Sequence, residues 1–320
     1  SNSGGISEYS VYREALTIPN APALQSANDK TTTSFTANWN SSLGYVTGYA
    51  IDVSTVSNFA TFITGYNNKV LPQTAVSEPV GSLNAGTTYY YRVRASNSSG
   101  TSSNPAPVRV STIPNAPTAL GADNIQPTQF RANWNGSTGA TKYFLDVATD
   151  DAFTSFVSGY ENRNVGSVTL FTVSGLESCT IYYYRVRADN SSVDGGTSVS
   201  SGTITAQTAP PPAPTANAAL NESATSFRAN WSAASGAEAY LLDVSRSNTF
   251  ATHEPGYPYN VGNVTSYDVI NLDQLQTYYY RVASVKNTCT SGYSNTRSAT
   301  TAFSLLWPPN NTQTSNLQDF

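Results

Sequence analysis

The chain has 320 residues, room for two or three domains of about 100–200 residues each, and it contains no Met, one His, two Cys and only 11% charged residues. A net charge of -4 with 16 basic residues leaves no electrostatic footprint for nucleic acid, and no apolar run reaches the ~18 residues of a membrane span. Neither an HExxH nor a CxxC pattern offers a first-row metal its usual ligands, so no metal and no cofactor is expected.

In chain order, residues 1–17 (SNSGGISEYSVYREALT) match Ser96–Thr112 (SNSSGTSSNPAPVRVST), so they are expected to be the last strand of a truncated upstream domain. Three copies of one unit follow, at 18–112, 113–208 and 209–303. FTANW ends at Trp39, and FRANW ends at Trp134 and again at Trp231. Each is followed by a YxxDV stretch (Tyr49 to Val53, Tyr143 to Val147, Tyr240 to Val244). A Gly-Tyr pair comes next (Tyr66, Tyr160, Tyr257), then a YYYRV block opening at Tyr89, Tyr182 and Tyr278. The joints repeat too: Thr17–Pro22 and Thr112–Pro117 both read TIPNAP, and Thr208–Pro214 reads TAPPPAP. Pro fixes φ and biases the residue before it to extended geometry, so these are stiff linkers and imply an elongated rod. Residues 304–320 are expected to begin a truncated downstream domain. With no Met in the chain, the whole reads as an internal segment of a longer protein.

Within each copy the period is two. Phe35, Ala37 and Trp39 alternate with Thr36, Asn38 and Asn40, and Tyr89, Tyr91 and Val93 alternate with Tyr90, Arg92 and Arg94. Such alternation describes strands with one buried and one wet face, and Gly/Pro/Asn/Ser clusters break the chain often enough for antiparallel sandwiches. The fold class expected is all-β, a tandem of seven-stranded antiparallel sandwiches.

These landmarks resemble the fibronectin type III domain, an immunoglobulin-like sandwich, over nearly the whole chain. The wording of the repeat is similar to that of large secreted or cell-surface proteins of Bacteroidetes-type bacteria. The resemblance implies that Trp39, Trp134 and Trp231 are the core tryptophans. Leu83, Leu176 and Leu272 stand six residues before Tyr89, Tyr182 and Tyr278, the spacing of the family's tyrosine corner, in which the hydroxyl bonds back to upstream backbone. It also places Cys179 and Cys289 in loops at opposite ends of a sandwich, so that they face each other across the second joint. They are a candidate disulfide, with two unrelated small residues as the alternative, and a bond there would leave the first joint held only by its Pro linker.

Other constellations have ordinary readings beside the functional ones. Asp52, Asp146 and Asp243 recur with Arg92, Arg185 and Arg281 on neighbouring strands and are expected to form ion pairs on the outer face. Tyr66, Tyr160 and Tyr257 either fold back over the sheet edge or make an inter-domain or lateral contact. His253 has no counterpart in the other copies, and no nucleophile–base pair or phosphate cradle stands out, so no catalytic residue is assigned. The functional expectation is a non-catalytic segment of a long extracellular or cell-surface protein: a stalk, fibre or adhesin. Two alternatives stay open, spacer or binding modules of a secreted polymer-degrading enzyme and a subunit of an extracellular filament. The partners implied are adjacent domains of the same chain, and other copies or surface glycans and proteins, without nucleic acid or membrane insertion.

Overall fold

The computed structural model describes residue 4 and residues 15–304. Most of the expected upstream strand at 1–17, and all but Ser304 of the expected downstream start at 304–320, lie outside the described residues.

The alternating segments form strands and the Gly/Pro/Asn clusters between them form turns. The first copy contains β1 (Leu24–Asn28), β2 (Phe35–Trp39), β3 (Gly48–Ser54), β4 (Lys69–Pro72), β5 (Ser77–Val80), β6 (Thr88–Asn97), the two-residue β7 (Gly100–Thr101) and β8 (Val108–Ser111). The second has β9 (Ala119–Gln126), β10 (Gln129–Trp134), β11 (Lys142–Ala148), β12 (Arg163–Gly166), β13 (Leu170–Ser174), β14 (Ile181–Asp189) and β15 (Ile204–Gln207). The third has β16 (Phe227–Asn230), β17 (Ala239–Ser245), β18 (Tyr259–Asn260), β19 (Ser266–Val269), β20 (Thr277–Lys286), β21 (Cys289–Thr290) and β22 (Arg297–Thr300). Every copy divides the same way. One sheet has the order β1-β2-β5, matched by β13-β10-β9 and β16-β19, and the other is built on β4-β3-β6, β12-β11-β14 and β18-β17-β20. The strands pair antiparallel, so the chain is a tandem of all-β sandwiches.

The residues group into two compact units. The N-terminal unit is Ser1–Gly121 with Asn133–Phe171 and Tyr183–Ile204, and the C-terminal unit is Ala122–Ala132 with Thr172–Tyr182 and Thr205–Phe320. The division runs through the second copy.

Parity decides the cores. In the first copy Phe35, Trp39, Tyr49, Ile51, Tyr89, Tyr91 and Val93 are all buried in one cluster, and the third copy repeats it with Phe227, Trp231, Tyr240, Leu242, Tyr278, Tyr280 and Val282. Each large side chain contributes roughly 1.5–3 kcal/mol by leaving water. The Trp rings tilt against Tyr49, Tyr143 and Tyr240 at 5.7–5.9 Å between centroids. The third tyrosines of the YYYRV blocks cross the core: the hydroxyls of Tyr91, Tyr184 and Tyr280 donate to the carbonyls of Gln25, Leu120 and Asn217.

One expectation is corrected. The outer face of β3 is not wet, since all seven residues Gly48–Ser54 are buried, as are Asp146 and Asp243 on the equivalent strands. The loop leaving each of these strands folds back across the sheet, and an aromatic ring covers the face that period-two reasoning assigns to solvent.

Candidate functional site

Three structures recur in every copy: a buried carboxylate, a corner that grips the start of the linker, and an edge bridge. The carboxylates lie under the returning loops. Asp52, Asp146 and Asp243 are at most 2% exposed, and burial of a charge is tolerable only when it is fully paired. Arg92, Arg185 and Arg281 each donate from Nε to the Asp at 2.9–3.0 Å. Arg94 and Arg187 add a second guanidinium, and the backbone N–H of Asn68 and Asn162 supplies a third donor at 2.6 and 2.7 Å. In the third copy Ala283 replaces that second Arg, and His253 Nδ1 stands 2.7 Å from Asp243 Oδ1 instead. The covering rings are Phe59, Phe153 and Phe250, each seven residues after its Asp and each in the left-handed region at φ 56, 58 and 54. An aromatic residue is rarely held there. The Arg guanidiniums stack over these rings at 4.1, 4.0 and 3.9 Å, a cation–π contact. Asp243 and His253 form an acid–imidazole pair whose other carboxylate oxygen is taken by Arg281. The arrangement ties the loop that carries His253 to the strand that carries Asp243, and among the described residues this is the imidazole's one hydrogen bond.

The corner is the second structure. The hydroxyls of Tyr89, Tyr182 and Tyr278 accept the N–H of Asn84, Glu177 and Asp273, each at 2.9 Å. The carbonyls of the same three residues accept from Thr112, Thr208 and Thr301 at 2.6–2.7 Å. Each of these Thr hydroxyls also accepts an N–H, from Thr87, Thr180 and Gln276, at 3.0 Å. One residue's backbone therefore joins the corner Tyr to the Thr that opens the linker, and the Thr is buried in every copy. Two residues on, the backbone turns left-handed at Gly86, Cys179 and Leu275, with φ 58, 50 and 55.

At the second joint this turn carries the crosslink. Cys179 is bonded to Cys289 of β21 with the Cα atoms 5.9 Å apart, closing a separation of 110 residues. Around it, Lys286 Nζ donates to Glu177 Oε2 at 2.7 Å, and this hydrogen bond from an ammonium holds the Glu177 carboxyl below its usual range. Cys179 N–H donates to the Ala209 carbonyl and Ala209 N–H to that of Gln126. Ser284 Oγ donates to the Pro212 carbonyl at 2.9 Å, fixing a linker whose prolines have no donors of their own. All of these groups belong to the C-terminal unit. A cleft of about 640 Å³ opens beside them, lined by Gln126, Thr128, Gln129, Glu177, Ser178 and Gly236 among others.

The first joint is not held by its Pro linker alone, which corrects the expectation from sequence. Ile113 N–H donates to the Thr31 carbonyl at 2.8 Å, Asn190 Nδ2 to that of Thr112 at 2.9 Å, Ser111 Oγ to that of Val193 at 2.7 Å, and Lys30 Nζ to that of Asp194 at 2.9 Å. The cause is local. A 3-10 turn over Ser191–Val193 ends on left-handed Asp194, turning the carbonyls of this loop toward the strands before it. Gly86 and Gly139 also meet backbone to backbone, and a Cβ on either would overlap the other's segment.

The Gly-Tyr pairs build the edge bridge. Gly65, Gly159 and Gly256 take φ 83, 80 and 87, so the following Tyr returns over the open side between the two sheets. The Tyr66 hydroxyl donates to the Pro79 carbonyl and accepts from Gly81 N–H, both at 3.1 Å, and Tyr66 and Tyr257 pack on the cores of their own copies. Tyr160 N–H closes the same turn onto the Val157 carbonyl. This packing accounts for the partial burial of Tyr66 and Tyr257 within their own copies. Burial, with the neighbouring Tyr267 and Tyr259, pushes the Tyr257 phenol up to about 12.

Sequence reasoning missed the covering Phe residues, although the seven-residue offset from each Asp was available. It also missed the Thr clamp, although that Thr opens every linker.

Part of the chain matches a family model, and several known proteins are similar to it. The model of the fibronectin type III domain matches residues 20–110, the first copy, and the other two copies share its landmarks and strand order. Chitinase A1 of Niallia circulans is 29% identical over 208 residues, 60% of this chain and 26% of that protein. Exoglucanase B of Cellulomonas fimi is 29% identical over 211 residues, 61% of this chain and 17% of that protein. Protein sidekick-2 of Mus musculus is 29% identical over 232 residues, 67% and 10% respectively. The chain thus spans about a quarter or less of the length of these relatives. Among solved structures, the FN1–FN3 domains of chicken CNTN1 are 18% identical, cover 90% of this chain and all of that one, and give a TM-score of 0.28. A two-domain fibronectin type III segment of chicken tenascin is 18% identical, covers 59% of this chain and all of that one, and gives 0.35.

Proposed function

We propose that the chain is a non-catalytic segment of an extracellular or cell-surface multi-domain protein, in which fibronectin type III repeats at 18–112, 113–208 and 209–303 act as a stalk that sets the spacing of other modules. The observation that carries this reading is the way the joints are built. A Tyr–Thr clamp recurs at the end of every copy, and a disulfide closes 110 residues at the second joint. Disulfides persist in oxidising, mostly extracellular compartments, and fixed joints serve spacing better than swivelling ones. The partners are adjacent domains of the same chain.

A chitinase and an exoglucanase among the relatives favour one version of this role, in which the repeats space or present modules of a secreted polymer-degrading protein. The test is domain exchange in the full-length protein. Replacing residues 18–112 with an unrelated rigid domain of equal length leaves the activity of the flanking modules intact if the repeat is a spacer. Loss of that activity, with secretion and folding unchanged, contradicts the proposal.

A further inference from the structure

Beside the Gly-Tyr turn, the edge bridge also joins one further pair of positions in each copy, and there its chemistry differs. The residue paired with Ile51, Leu145 and Leu242 is Lys69, Arg163 and Tyr259 respectively, and the facing residue on the other sheet is Glu78, Phe171 and Tyr267. The first copy closes the edge with an ion pair at 2.5 Å, and the second with a guanidinium over a ring at 6.0 Å. The third closes it with two tyrosines, 5.7 Å between centroids. Tyr259 is 48% exposed and Ile270, close by, 61%. Tyr257 adds a third ring, and its hydroxyl, unlike that of Tyr66, has no hydrogen-bond partner among the described residues.

Two hollows flank this cluster and share Ile270. One, about 500 Å³, is lined by Arg228, Ser266, Tyr267, Asp268 and Ile270, and the other, about 440 Å³, by residues that include Arg246, Glu254, Tyr257 and Ile270. Their charges are already matched. Arg228 makes a two-pronged pair with Asp268, both bonds at 2.7 Å, and Arg246 is held by Glu254 at 2.8 Å and Asp273 at 2.7 Å. An ionic ligand would have to break these pairs. A ligand with apolar faces and many neutral hydroxyls would not, because aromatic rings take its C–H faces while Tyr hydroxyls and the outer edges of the ion pairs take its hydrogen bonds.

We propose that the tyrosine cluster of the third copy, Tyr257, Tyr259 and Tyr267, is a binding face for a neutral polysaccharide chain. This goes beyond the spacer role and does not depend on it, since a spacer needs no ligand face. Affinity electrophoresis of the intact chain through native gels containing hydroxyethylcellulose, xylan, glycol chitin or a soluble β-1,3-glucan tests it. Retardation is expected on at least one of the four. Tyr259→Ala and Tyr267→Ala weaken it about tenfold or more, and Tyr45→Ala, an exposed tyrosine of the first copy, leaves it unchanged. A thermal melt of each variant confirms folding. Migration unaffected by all four polymers overturns the proposal, as does retardation that survives both tyrosine substitutions. Retardation by heparin alone overturns it as well, since that marks an anion site.

Discussion

Removing the disulfide by Cys289→Ala changes the stability of two sandwiches at once. When both unfold, the bond closes a loop of 110 residues, which in the chain-entropy model is about 4.8 kcal/mol of stabilisation. If only the third copy unfolds, the loop runs from the clamped Thr208 to Cys289, roughly 80 residues, or about 4.5 kcal/mol. If only the second unfolds, the free loop is roughly 30 residues and the effect about 3.7 kcal/mol. The third copy therefore loses more than the second, and a loss of ~4 kcal/mol lowers the midpoint of a domain this size by about 15 °C or more. Scanning calorimetry of the chain with and without reductant, against Cys289→Ala, measures it. The expected result is one high transition that splits and moves down on reduction, and a variant that matches the reduced protein and ignores reductant. Stabilities of oxidised and variant protein within ~1 kcal/mol of each other would refute the loop argument.

The remaining expectations are local. Asp52→Ala strands Arg92, Arg94 and the Asn68 N–H and costs about 2–4 kcal/mol in urea denaturation, somewhat under the full buried-pair penalty because both guanidiniums keep some water. Asp123→Ala, which breaks an exposed pair with Arg131, shows no comparable loss. Gly86→Ala destabilises the first copy, since the new Cβ meets the Thr138 carbonyl, whereas Leu275→Gly at the equivalent left-handed position raises the melting temperature of the third by relieving about 1 kcal/mol of backbone cost. With pH, the folded-state value of Glu177 lies below its usual 4.5 because Lys286 donates to it. Its contribution is full above that value and fades as pH falls through the folded one. Lys286→Gln flattens that part of a pH–stability profile measured by denaturation, and a profile unchanged by the substitution counts against the pair.

Much of the fold was legible because the strands are half-buried and the signal has period two. Phe35, Trp39 and Tyr91 point inward where parity puts them. Period-two alternation carries no record of a loop that covers a sheet. Asp52 lies on the outer face, as parity requires, yet that face is dry, because Phe59 returns over it from a backbone region that no periodicity describes. The first joint fails in sequence for a similar reason. The acceptors in the four bonds that hold it are all backbone carbonyls, of residues 31, 112, 193 and 194, and backbone groups leave no signature in residue type. The edge bridge was hidden differently: Lys69, Arg163 and Tyr259 have no chemistry in common, and only the strand register shows that they share a position.

Hydrogen exchange at the second joint tests most directly whether it is a fixed coupling. The amides of Cys179, Thr180 and Ala209 donate to the Ala209 carbonyl, the Thr208 hydroxyl and the Gln126 carbonyl. In the oxidised protein they are predicted to exchange as slowly as the strand amides of β14 and β20, and to speed up when Cys179 and Cys289 are reduced while the strands stay protected. Rapid exchange of these three amides in the oxidised chain would contradict a fixed joint and, with it, the spacer role.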